Sequence, residues 1–96
     1  MDSPKYRFQF TRAVEMAGVE ETLLLSVIAA EGIYGRARVR LDGEFATNPA
    51  ERTCSVAAGN EVGQNIAKIF TEFLVLEVGE AAFDVDGDHQ LSRYPM

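Results

Sequence analysis

Three arginines spaced two apart, Arg36, Arg38 and Arg40, form the one basic cluster in this chain. In an extended segment that spacing puts all three on one face, where planar guanidinium forks can grip phosphates or carboxylates. The cluster is therefore the candidate contact for a small anionic ligand or a partner. A row of arginines on an edge strand also has a plainer use, which is to keep that edge soluble and discourage edge-to-edge pairing.

The other constellations are weaker. Asp84, Asp86 and Asp88 alternate as calcium ligands do, but His89 stands where such a loop needs glycine and Pro95 where it needs a bidentate glutamate. Gly59-Asn60-Glu61-Val62-Gly63 precedes a helical pattern yet has no phosphate-binding lysine, and Glu61 repels an anion. Cys54 is the only cysteine and falls in phase with Val56 and Ala58 on a buried face, where an apolar setting raises a thiol pKa. His89, the only imidazole, sits in a polar C-terminal stretch, so a held nucleophile and base are hard to assemble. Glu20 and Glu31 have no pocket-forming neighbours. The expectation is a non-catalytic protein with no cofactor and no metal.

Composition sets the frame. Ninety-six residues with 47% hydrophobic and 25% charged side chains fit one domain with one core, here about residues 5–86, followed by a polar tail at 87–96. The formal net charge of −6 opposes binding to nucleic acid or anionic lipid. Most of the net negative charge lies in residues 61–96, which hold two basic and seven acidic side chains, a stretch suited to a basic partner. No apolar run reaches the roughly 18 residues of a membrane span, and Met1 to Pro4 lacks the layout of a secretory signal. A single cysteine suits a reducing compartment, so the expected location is cytoplasmic.

The elements that must carry these residues follow from periodicity. Tyr6, Phe8 and Phe10 alternate with Arg7, Gln9 and Thr11, which predicts a first strand over Lys5 to Arg12. Val19, Leu23, Val27, Ala30 and Tyr34 form one helical stripe, although Thr22 to Ala30 is apolar enough to suit a buried strand as well. Residues 36–47 alternate again and predict a second strand with the arginines outward. An Asp42-Gly43 turn there would set Arg40 opposite Phe45, a charge beside an apolar group, so the hairpin turn is placed at Asn48 to Glu51. That choice pairs Phe45 with Cys54 and gives a third strand over about 52–58. Asn60 caps a second helix with Val62, Ile66, Ile69, Phe73 and Leu76 inward and Gly79 at its end. Ala81, Phe83 and Val85 make a fourth strand.

The order β-α-β-β-α-β matches the ferredoxin-like two-layer sandwich: a four-stranded antiparallel sheet, order 4-1-3-2, with two helices on one face. On that plan RNA stacking has no aromatic platform, because the third strand reads Arg52-Thr53-Cys54-Ser55-Val56. What remains is an apolar surplus: Leu24 and Ile28 lie off the inward stripe of the first helix, and Val75 lies on the polar side of the second. Contiguous exposed apolar groups mark interaction sites. The functional expectation is a protein-protein association module, a homo-oligomer or homodimer through Leu24, Ile28 and Val75. The alternative is a regulatory domain binding a small anion beside Arg36, Arg38 and Arg40.

Overall fold

The computed structural model describes residues 4–87. The tail beyond Gly87, with Asp88, His89 and Pro95, lies outside them. Within them the fold is α+β, with a four-stranded antiparallel sheet and three α-helices. The strands are β1 (Lys5–Phe10), β2 (Phe45–Asn48), β3 (Thr53–Ala57) and β4 (Phe83–Gly87), in the order β2-β3-β1-β4. That is 4-1-3-2 counted from the other edge. The helices are α1 (Met16–Tyr34), α2 (Arg36–Asp42) and α3 (Glu61–Glu77), and a 3-10 turn at Glu80–Ala82 leads into β4.

The alternation of β1 works as its residue types require. Tyr6, Phe8 and Phe10 are buried and Lys5, Arg7 and Gln9 are exposed. Phe8 meets Phe70 of α3 edge to face, with ring centroids 4.8 Å apart, and both rings are fully buried. Phe83 of β4 completes the aromatic group, 6.0 Å from Phe10. Cys54 and Val56 of β3 share this face with Val19 and Leu23 of α1 and with Val62, Ile66 and Leu74 of α3. Burying one such Phe or Leu side chain is worth roughly 1.5–3 kcal/mol, so this one face carries most of the hydrophobic stabilisation. On the reverse face Arg7 pairs in register with Asp86, an opposite-charge neighbour, and Gln9 with Asp84.

The segment left open between helix and strand, 19–31, is helical, and its expected stripe faces the core: Val19, Leu23 and Ala30 are buried, with Val27 and Tyr34 packed partly in. The helix starts three residues earlier than the stripe implies, because Val14 and Met16 turn into the core rather than prolonging β1.

The largest correction concerns Arg36, Arg38 and Arg40. They do not line a strand. Residues 36–42 form helix α2, and the strand expected over 36–47 shrinks to Phe45–Asn48. Gly35 makes the break: its φ of +88° is reached without strain only by glycine, and it ends α1 through its N–H to the Glu31 carbonyl. The chain then resumes as a two-turn helix needing only one anchor, and Val39 supplies it while Ala37 and Leu41 stay exposed. Helical spacing also lets Arg38 reach Asp42 four residues on, at 3.7 Å.

Two further differences are of register and rotation. The hairpin loop does fall after Asn48, but Phe45 pairs with Val56 rather than Cys54, a slip of two residues that keeps every side chain on its expected face. On α3 the buried row is Val62, Ile66, Phe70 and Leu74, whereas Leu76, expected inward, is 83% exposed.

Candidate functional site

Arg36 and Arg38 pack around one end of the helical layer, and Arg40 is exposed in the last turn of α2. Arg38 lies over the Tyr34 ring, its guanidinium carbon 4.9 Å from the centroid, and also meets Glu61 at 3.8 Å. Arg36 reaches Glu31 at 3.9 Å. The Tyr34 hydroxyl donates to Glu61 Oε2 at 3.1 Å and accepts from Asn65 Nδ2, so the end of α1 is tied to the first turns of α3. Burial, and next the Glu61 carboxylate, push the Tyr34 phenol above its usual pKa. Asn60 closes the group: its Oδ1 accepts from the Gly63 amide at 2.8 Å and its Nδ2 donates to the Asp42 carbonyl at 2.9 Å. Arg36 and Arg38 thus already hold carboxylates, and the ion pairs, being largely exposed, are each worth about 0–1 kcal/mol. These contacts seat α2 against α1 and α3.

The motif Gly59 to Gly63 has an equally local explanation. A Cβ at Gly63 would come 2.1 Å from the Ala57 carbonyl oxygen, so glycine is required for the first turn of α3 to press on the end of β3. Cys54 is 1% exposed, and burial pushes its thiol up to about 11. It is a core residue.

A residue that periodicity does not single out holds the opposite end. Arg52, in the β2–β3 loop with φ +59°, donates through Nε and Nη2 to the Thr11 carbonyl at 3.1 and 2.7 Å, and through Nη2 to the Val14 carbonyl. It borders a shallow, open groove of about 630 Å³ with Arg12, Glu15 and Pro49. Its guanidinium is spent on main-chain carbonyls. Among the described residues no three His, Cys, Asp or Glu side chains converge on a metal site, and no buried side-chain nitrogen or oxygen lacks a hydrogen-bond partner.

The remaining feature is the outer side of the helical layer. Leu24, Leu25, Ile28 and Ile33 of α1 are 52%, 53%, 60% and 66% exposed. They share that side with Ala17, Gly18, Ala29 and Gly32, and Glu21 is the one charged residue among them. Leu24 and Ile28 thus stand in solvent as their spacing implies, joined by Leu25 and Ile33, which the inward stripe does not single out. Val75 does not belong with them: it is partly buried and packs against the core. Leu76 is the exposed aliphatic that α3 contributes. The two helices run antiparallel, since Thr22 near the start of α1 donates to Glu77 at the end of α3 (2.7 Å) while Tyr34 meets Glu61 and Asn65. Ile69, Phe73 and Leu76 continue the α3 row that begins at Asn65, so they lie on the flank next to α1. Ser26 is buried, and its hydroxyl turns back to the Thr22 carbonyl. Among the described residues no helix is long and apolar enough to cross a membrane. Compared with protein-family models, curated proteins and solved structures, the chain has no match.

Proposed function

We propose that this chain is a non-catalytic association module that joins to another copy of itself through the outer face of its helices. The observation that carries this reading is the solvent side of α1, where four large aliphatic side chains stand more than half exposed and Glu21 is the one exposed carboxylate. A helix apolar on both sides asks for a partner on each, and the sheet supplies only one. The architecture is read as a ferredoxin-like βαββαβ plan with α2 added before β2: the strand order, the antiparallel pairing and two long helices over one sheet face support it. A buried, unpaired Cys54 suits work in the cytosol.

Light scattering after gel filtration tests the association. The protein at about 100 µM should elute with at least twice the chain mass, and Leu25→Lys combined with Ile28→Lys should return it to monomer while leaving its circular dichroism unchanged. A wild-type monomer at that concentration ends this reading.

A further inference from the structure

The exposed stripe of α1 is evenly spaced about Leu25. Gly18 and Gly32 lie seven residues either side of Leu25, Glu21 and Ala29 lie four either side, and all five are exposed. Such spacings keep the residues within one narrow band of the helix. The glycines are not needed by the single chain: a Cβ at Gly18 or at Gly32 would meet nothing within 4 Å, and neither has a positive φ. Glycine weakens a helix relative to alanine, because it loses more backbone freedom on folding and leaves the backbone open to water. Two unforced helical glycines flanking a bulky centre are shaped to receive another backbone at close range.

Building on the self-association reading, we infer that the occupant is the α1 helix of a second copy, packed antiparallel about a two-fold axis through Leu25. An isologous contact requires that if one residue meets another, the reverse meeting also occurs. A band symmetric about Leu25 satisfies this: Leu25 meets its own counterpart, Gly18 faces Gly32 of the second copy, and Glu21 faces Ala29. Charge selects the same direction. Parallel packing would set the two Glu21 carboxylates side by side, whereas antiparallel packing separates them by eight residues, about 12 Å of helix rise, which exceeds the screening length of roughly 8 Å at physiological salt. Area sets the extent. The 19 residues of α1 make a helix about 28 Å long, and one such band falls short of the roughly 800 Å² per partner of a standard interface, so Ile69, Phe73 and Leu76 of α3 complete it.

Variants of the full chain with one added cysteine, oxidised with diamide, test the geometry, because native Cys54 is 1% exposed and stays silent. Leu25→Cys alone should give a disulfide-linked dimer. Glu21→Cys and Ala29→Cys should each link poorly alone and well when mixed. Self-linking of Glu21→Cys with no gain on mixing overturns the antiparallel arrangement, and a dimer by light scattering that no combination links overturns the α1 contact, while either result leaves self-association standing. A wild-type monomer overturns both. Gly32→Ala supplies an independent measurement: at dilute concentration it should raise the melting temperature of the single chain, yet weaken dimerisation about tenfold. An unchanged or tighter dimer removes the close approach at glycine.

Discussion

At Cys54 burial and chemistry act together. The pKa of the thiol is pushed up to about 11 first by desolvation, which penalises the thiolate, with Thr47 opposing through a weak hydrogen bond and Glu20 adding to the rise. The folded-state pKa therefore lies above the ordinary value of 9.0, so the neutral thiol contributes stability that is complete below about pH 9 and lost as pH climbs through 11. Wild type should lose on the order of 2 kcal/mol of unfolding free energy over that window beyond what Cys54→Ala loses, measured by urea titration at pH 8 and pH 11. Native protein at pH 8 should also react with a thiol reagent only after denaturant is added. Arg52 makes a contrasting case, since its value lies in main-chain carbonyls and not in charge pairing. Arg52→Ala leaves the Thr11 and Val14 carbonyls without their donor and should cost about 1–3 kcal/mol by thermal or urea denaturation. Arg52→Lys should recover only part, because an ammonium cannot span both carbonyls as the guanidinium does.

At the scale of elements, the strongest constraint is the seating of α3. Asn60 was legible as its cap, and the bond from the Gly63 amide to Asn60 Oδ1 is the capping interaction that its type implies. Which way the helix rolls was not legible, because Ile69, Phe70, Phe73, Leu74, Val75 and Leu76 offer more than one apolar stripe. The sheet chooses the stripe that includes the small residues Gly63 and Ala67, which let α3 approach β3. Gly63→Ala should therefore destabilise by about 1–3 kcal/mol or more despite the better helix propensity of alanine, seen as a lower urea midpoint. The α2 segment shows the opposite failure. Arg36 to Leu41 alternates as a strand would, yet with only Val39 needing burial a short helix serves equally, and Gly35, Tyr34 and Glu61 around it favour that outcome. For the candidate site, the exposed Leu24 and Ile28 could be found by spacing alone. The arginine row could not be placed, because its partners Glu31 and Glu61 come from other elements.

For the molecule as a whole, the charge of −6 on every copy opposes association at long range while the proposed contact carries one carboxylate per chain. Screening should then help: raising salt from about 0.05 M to about 0.5 M should tighten self-association, the reverse of what an interface made of ion pairs would do. Sedimentation equilibrium at the two salt concentrations measures this directly. Association also predicts a melting temperature that rises with protein concentration in wild type and not in the Leu25→Lys, Ile28→Lys variant.

Local patterns were enough to establish the alternation of β1, the cap and end of α3, and the loop after Asn48, since each depends on side-chain period or on a residue with one conformational use; for α1 they marked a stripe but left residues 19–31 open between helix and strand. Tertiary structure alone decided three things. A two-residue slip between β2 and β3 preserves which face every side chain takes, so alternation is blind to it; the loop that sets it is held by Asn48 accepting from the Glu51 amide and by Arg52 reaching across to β1's exit. The roll of α3 and the helical state of residues 36–42 were likewise settled by what packs against them, because in both stretches the sequence admits two arrangements of similar local cost and only the shape of the neighbouring layer tells them apart.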